Sequence, residues 1–527
     1  MNIKQITYLA AFIAAISSNA QTVQQSDEEV TFRTHTRILA SDEFGGRKPL
    51  SSYEPLTLEY ISNEYKKLGL LPANGDSYLQ DVPLIDVTVK PKGGKITVKG
   101  PKGTTVINDY DDAVIWTAQK DKTINVNNAE FVFVGFGINA PEHGWNDYEG
   151  LDVKGKVVVA LVNDPGYYDA SLFKGKSMTY YGRWIYKFEE ASRQGAAGVL
   201  VVHDTKPATY GWNTVQPSWY EHNLELVNDK DNRDLVRFKG WITREKATEL
   251  FVNAGYSYDE LLQKALKKGF KAISLNSKSN VKLTNNVSSG ISHNVAAILP
   301  GSDPDLKDEY VIYSAHWDHF GVGKPVNGDS IYNGASDNAT GVAAVLTIAK
   351  RLAELGQRPR RSILFLAVTA EEAVLLGSQH YVTHPLVPLD KTVAVLNFDG
   401  VGPAPATRDV IIHNENTGYE YVHYAAAAQG RHVVTQPGNT GYRSDHFSFN
   451  RVGVPTVSAP NGREYIAPNP KTRDRSAYHQ PNDEYHEDWD VSGSLQSIDL
   501  HFSVGYQIAN ADKRPEWNSD SEYRRGQ

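Results

Sequence analysis

Three short apolar runs in the C-terminal half of this 527-residue chain each lead to a side chain that can do chemistry. Residues 310–315 run into His316, residues 363–368 stop just before Glu371 and Glu372, and residues 393–397 stop just before Asp399. Runs of that length, bounded by turns, read as buried strands. Between them, Val342, Val345, Leu346 and Ala349 recur at helical spacing behind a potential cap at Asn338, and the pattern ends at Gly356. Strand, helix, strand in alternation predicts an α/β fold, with a mixed, mostly parallel sheet flanked by helices on both faces. In open sheets of this kind ligands bind beyond the carboxyl ends of the strands, so His316, Glu372 and Asp399 are expected to share one crevice.

Two more residues suit that crevice. Asp337 lies in the small-residue segment 334–341 at the start of the helix, and His479 lies in the distant segment 478–483. Two histidines and three carboxylates match the donors that zinc accepts, and a carboxylate with one oxygen for each ion can bridge a pair about 3.5–4 Å apart. Asp318, two residues past His316, is placed to accept the other imidazole N–H and fix its tautomer. Glu371 and Glu372 are adjacent and cannot point the same way, so one can ligate while the other acts as a general base towards water. Each segment alone has an ordinary explanation: a helix start, a core histidine, a turn. Their combination in this order does not.

Composition sets the frame. A net charge of −8 offers no electrostatic reason to bind nucleic acid or an anionic membrane. The chain is too long for one core, which predicts at least two domains. Lys4, the apolar stretch 6–16 and the small residues around Ser18-Asn19-Ala20 predict a signal peptide over 1–20, hence export to a periplasm or the medium and no membrane anchor. With no cysteine there is no disulfide framework. Residues 110–275, with strand-like runs at 131–134, 156–162 and 199–202 and a helix near 186–194, read as a separate inserted module. The polar text 275–289 reads as its exit. The expected division is 1–20, 21–109, 110–275 and 276–527.

The segments S-A-H-W-D-H (314–319), G-A-S-D-N-A-T-G (334–341), T-A-E-E (369–372), N-F-D-G (397–400) and Y-H-Q-P-N-D (478–483) resemble the co-catalytic zinc aminopeptidases of peptidase family M28. The stretch 39–47, L-A-S-D-E-F-G-G-R, is similar to the N-terminal part of that family, and the module at 110–275 resembles an inserted, β-rich protease-associated (PA) domain. The resemblance implies a zinc-aminopeptidase-like sheet, a peptide substrate and two Zn²⁺ per chain, other divalent ions being possible. His316 and Asp399 would bind one ion, Glu372 and His479 the other, with Asp337 bridging and Glu371 as general base. It also implies a cis peptide bond after Asp337. Ser336 and Gly400 depart from the usual family residues at positions that are not ligands. Tyr442, Arg443, Asp445 and His446 match a segment that lines the substrate site.

Other readings on the same fold are a carboxypeptidase, for which Arg463, Lys471, Arg473 and Arg475 are the candidate cations, a one-zinc glutaminyl cyclase, and a non-catalytic binding protein. The aromatic residues Tyr167, Tyr168, Tyr180, Tyr181, Trp184 and Tyr186 face either the mouth of the site or the packing between domains. Oligomeric state is left open.

Overall fold

The computed structural model describes residues 25–524 except 91–94, 221–222, 414–415, 437–440, 473–474, 520 and 522, so the expected signal peptide at 1–20 lies outside the described residues. In chain order the elements used below are α1 (Asp27–Leu39), α2 (Glu54–Lys67), β1 (Leu79–Lys90), β2 (Ala113–Trp116), β3 (Thr123–Phe133), β4 (Val157–Leu161), α3 (Trp184–Arg193), β5 (Gly198–His203), β6 (Phe238–Thr243) and β7 (Ile273–Leu299). They continue with β8 (Tyr310–His316), α4 (Thr340–Ala353), β9 (Ser362–Val368), α5 (Leu376–Thr383), β10 (Thr392–Phe398), α6 (His446–Arg451), β11 (Thr456–Val457) and α7 (Ser492–Asn510).

One mixed sheet runs through the molecule in the order β11-β10-β8-β9-β7-β3-β4-β5-β6-β2. Pairing is parallel from β11 to β9 and again from β3 to β6, while both neighbours of β7 run antiparallel to it. Alternation along each strand divides the core by face. Val311, Tyr313 and Ala315 of β8 pack with Phe32, Ile61, Val345 and Ile498 from α1, α2, α4 and α7. Ile312 points the other way, towards Tyr381 of α5 and Phe449 of α6. Beyond β7 the same division recurs: Val157, Val159 and Leu161 meet Phe251 and Leu261, while Val158 and Ala160 meet Trp184 and Phe188. Helices therefore cover both faces.

The polar text 275–289 is not a loop. It forms the N-terminal part of β7, a 27-residue strand whose alternate residues Leu275, Ser277, Ser279, Val281, Leu283 and Asn285 are buried. A period of two survives there even though half of the inward side chains are Ser or Asn, which masked it in the sequence. Residues 273–284 of β7 pair with β3, and residues 295–299 pair with β9. The core on the β3 side also takes in Ile96, Val98 and Ile107 and reaches Leu283, on either side of the 110–275 expected.

Helix α1 starts at Ser26, whose hydroxyl accepts the Glu29 N–H at 3.1 Å, and carries three acidic residues in its first turn. After it the chain turns sharply at Gly45 and Gly46, with φ of 51° and 66°. A Cβ on Gly46 would sit 2.4 Å from the Tyr332 carbonyl oxygen, so the close approach needs glycine. That turn delivers Arg47 into the interior at 1% exposure, where its guanidinium donates to the carbonyls of Trp317 (2.8 Å), Leu39 (2.7 Å), Asn333 (2.6 Å) and Gly334 (2.8 Å). Among the described residues, no helix is long and apolar enough to cross a membrane.

Candidate metal centre

His316 is the last residue of β8 and is 1% exposed. Asp337 sits in the turn Ala335–Ala339, in which the Asp337–Asn338 peptide is cis. Asn338 ties this turn to its surroundings: its amide donates to the Phe398 carbonyl (2.8 Å), and its oxygen accepts the Gly341 N–H (3.1 Å) and the Gly400 N–H (3.3 Å). Asp399 follows β10 directly. Glu371 and Glu372 follow β9 in a loop whose Ala370, Val374 and Leu375 have φ of 51°, 80° and 63°. Non-glycine residues in that region are uncommon and concentrate at functional sites. The N–H groups of Val374 and Leu375 both close on the Glu371 carbonyl at 2.8 Å, and α5 starts directly after, at Leu376.

The loops bring the two histidines to the same carboxylate. His316 Nε2 is 3.3 Å from Asp337 Oδ1 and 3.5 Å from Asp399 Oδ1. His479 Nε2 is 3.4 Å from Asp337 Oδ2 and 3.3 Å from Glu372 Oε2. Asp337 thus offers one oxygen to each cluster. Among the described residues, both Nε2 atoms are buried without a hydrogen-bond partner. Two ligands about 2.1 Å from one tetrahedral cation lie roughly 3.4 Å apart, so these separations fit donors around shared ions better than they fit hydrogen bonds.

The electrostatics call for a cation as well. Burial, and then the neighbouring carboxylates, drive the pKa values of Glu371 and Glu372 well above the usual range. Burial opposes a proton on His316, yet the surrounding carboxylates, Glu371 foremost, hold its pKa well above that of a free imidazole. Carboxylates crowded this closely in a low dielectric repel one another, and a bound divalent ion relieves the repulsion. Arg47 supplies part of the relief from behind. Burial pushes it down to about 10, and the charges of Asp318, Asp483, Asp337 and Glu372 oppose the fall.

Asp318 does not hold the His316 ring as expected. Its carboxylate is 3.7 Å from His316 Nδ1, while its own carbonyl oxygen is nearer, at 3.2 Å. The carboxylate instead accepts the backbone N–H groups of Glu371 (3.0 Å) and Glu372 (3.3 Å) and so fixes the loop that presents them. Two contributors went unread in the sequence. His319 Nδ1 lies 2.7 Å from Glu372 Oε1. When Glu372 is ionised as a ligand it only accepts, so His319 would then carry its proton on Nδ1; Oε2 faces His479. Asp483 accepts the N–H groups of Ser336 (3.1 Å) and Asp337 (3.0 Å). The signal for both lay in the quoted segments, S-A-H-W-D-H and Y-H-Q-P-N-D, whose last residues were given no role.

A cavity of about 260 Å³ opens over this centre, lined by Asp337, Glu371, Glu372 and Asp399 on one side and by Arg183, Trp184 and Tyr210 on the other. Tyr442 and Arg443 also line it, whereas Asp445 and His446 do not. Asp445 is fully buried, and burial pushes its carboxyl up to about 7. Burial likewise pushes His446 down to about 4. Of the six aromatic residues singled out, Trp184 reaches this cavity. Tyr180 packs on Phe447 across the junction, ring centres 4.8 Å apart, and Tyr167 packs on Tyr168. A second cavity, about 760 Å³, shares Asp399 and Tyr478 with the first and is walled in part by Arg463. Lys471 is exposed beside Asp488, at 3.5 Å. Arg473 and the Arg475 side chain lie outside the described residues.

The sequence model of Peptidase family M28 matches residues 294–503, a span that contains every residue of this centre from His316 to Asp483. That stretch is an M28 peptidase domain. Within the chain, 129 residues are 36% identical to aminopeptidase NAALADL1 of Mus musculus, covering 23% of this chain and 15% of that protein. A 111-residue stretch is 32% identical to leupeptin-inactivating enzyme 1 of Streptomyces exfoliatus, covering 21% of this chain and 23% of that one. The chain thus spans less than a quarter of the length of either relative. The solved structure of an aminopeptidase from Aneurinibacillus sp. strain AM-1 superposes with a TM-score of 0.52 at 19% identity, over 93% of this chain and 94% of that one. The shared fold therefore includes the strands beyond β7 as well as the M28 domain.

Proposed function

We propose that the protein is a two-zinc exopeptidase, an aminopeptidase by preference, acting on short peptides. The observation that carries this reading is the division of Asp337, with Oδ1 towards His316 and Asp399 and Oδ2 towards His479 and Glu372. Zinc at these donors would act as a Lewis acid towards the scissile carbonyl and would lower the pKa of water.

The chain's own residues account for the rest. Glu371 lines the cavity beside the ligands and takes a proton from the attacking water. It then delivers that proton to the leaving amine nitrogen. Burial raises its pKa, which favours uptake of a proton. Asp318 keeps it in place through the backbone N–H of Glu371, and His319 orients the adjacent ligand Glu372. The acidic lining attracts the α-ammonium group of a peptide, which favours cleavage at the amino end. Curated relatives carry the name aminopeptidase, which supports the same choice.

Two further parts of the proposal rest on sequence pattern. The unit around 110–275 is a PA-like insertion that walls the cavity, and the apolar leader at 6–16 exports the chain.

Hydrolysis of leucyl-anilide before and after chelation, together with zinc analysis of the purified protein, tests the reading. Expected are about two ions per chain and turnover lost on chelation. Glu371→Gln should retain the metal and lower kcat by about 10²–10⁴. Turnover that survives either treatment sinks the assignment.

A further inference from the structure

The wall facing the carboxylates carries two guanidinium groups. Arg183 immediately precedes α3, and it lines the 260 Å³ cavity together with Arg443, Glu371, Glu372 and Asp399. Its Nε is buried with no hydrogen-bond partner. Among the described residues no carboxylate pairs with it, and the largest charge effect on it is the like charge of Arg443. Arg443 donates, among the described residues, to Thr209 Oγ1 alone, at 3.4 Å.

Two fully buried arginines have their partners: Arg47 holds four carbonyls, and Arg361 pairs with Glu309 at 2.7 Å. Arg431 also leaves its Nε unpaired among the described residues, but its terminal nitrogens hold Thr407, Asp409 and Asn461. Burial lowers Arg183 only to about 10, so it stays cationic at neutral pH. A largely desolvated cation with no counter-charge among the described residues is costly, and a second cation beside it raises the cost. The aromatic rings of Trp184, Tyr210 and Tyr442 around it supply no anion. Among the described residues that partner is missing, and an anion entering the cavity would supply it.

We propose that Arg183 and Arg443 form a carboxylate-binding subsite that selects substrates with a carboxylate next to the scissile bond. The planar fork of a guanidinium matches a carboxylate in two-point contact, and both arginines line the cavity that holds Glu371, Glu372 and Asp399. This rests on the peptidase reading above and narrows its substrate class. The carboxylate has two sources, the side chain of an acidic N-terminal residue or the free C-terminus of a dipeptide.

Paired substrates separate them. Glutamyl-anilide against glutaminyl-anilide isolates the side chain, and Leu-Leu against Leu-Leu-amide isolates the C-terminus. The wild-type protein should favour the carboxylate member of one pair by about tenfold to a hundredfold in kcat/KM, mostly through KM. Because each preference is a ratio within one protein, losses from impaired folding cancel. Arg183→Met and Arg443→Met should each collapse that ratio towards one, and Arg183→Lys should restore part of it. Equal rates within both pairs in the wild-type protein, or ratios that neither substitution moves, overturn the proposal.

Calorimetric binding of glutarate against glutaramide needs no turnover. A preference for glutarate that falls about tenfold in Arg183→Met supports the subsite even in a protein that hydrolyses none of the anilides. Such a result would fault the peptidase reading alone. Equal binding of the two compounds, unmoved by the substitution, overturns the subsite.

Discussion

Both carboxylate oxygens of Asp483 grip the backbone that carries Asp337: Oδ2 accepts the Asp337 N–H at 3.0 Å and Oδ1 the Ser336 N–H at 3.1 Å. The Asp483 carbonyl also accepts the Ala335 N–H, at 2.9 Å. Since His479 lies on the same loop as Asp483, this brace sets the bridging carboxylate and the second histidine in one frame. Asp483→Ala should therefore weaken zinc binding by about 10–100-fold, read by competition with a chromophoric chelator. Affinity equal to wild type would show that the brace is idle.

Arg47 ties the N-terminal turn to the strand ends beneath the metal centre through four carbonyl oxygens. Replacing it with Met keeps the bulk but leaves those oxygens unsatisfied and removes a cation from behind a cluster of carboxylates. Urea denaturation should show a loss of about 3–5 kcal/mol for Arg47→Met. A loss below about 1 kcal/mol would mean that the carbonyls find other donors.

His501 is 4% exposed, sits beside Phe398 with ring centres 4.9 Å apart, and shares a hydrogen bond of 2.8 Å with the Ser497 carbonyl. Burial, with a smaller contribution from Arg431, pushes it down to about 4. Between about pH 6.5 and pH 4 the unfolded chain then holds a proton at this site that the folded one does not. Its stabilising effect is complete above pH 6.5 and is lost as pH falls towards 4, by about 3 kcal/mol in full. His501→Gln, which keeps a donor for Ser497, should flatten the fall in stability over that window. An unchanged slope in denaturation series at several pH values would reject the assignment.

Glu189 of α3 and Arg451 of α6 form a two-point pair, both contacts at 3.1 Å, across the junction between the two halves of the sheet. The Arg451 guanidinium also lies 4.9 Å from the Tyr180 ring centre. The Arg451 and Glu189 side chains are 36% and 23% exposed, so solvent screens the pair and a double-mutant cycle should give a coupling of about 1 kcal/mol or less. Removing both should speed proteolysis within α3 more than within α7. Equal protection in the two helices would locate the junction's strength elsewhere.

Much of the centre could be read from the sequence because a histidine or carboxylate at the end of an apolar strand stands out. Asp399 and His316 are examples, since a period-two or continuous apolar run stops at each. The residues that hold the ligands left no such mark. Asp483 meets the Asp337 backbone across 146 residues, and Arg47 reaches the Trp317 carbonyl across 270. His319 could be seen in its segment, but its bond to Glu372 depends on how two loops meet. The strand 275–289 was missed for a different reason. Its inward positions hold Ser and Asn, so hydropathy did not betray the alternation that the backbone ladder maintains.

The 27-residue β7 enters both halves of the sheet as a single rail, hydrogen-bonded to β3 near its start and to β9 near its end. A wall built on such a rail cannot hinge away from the zinc ligands without tearing ladder bonds. Entry to the centre then runs through a fixed aperture, and the size of that aperture becomes a filter that acts before any chemistry begins.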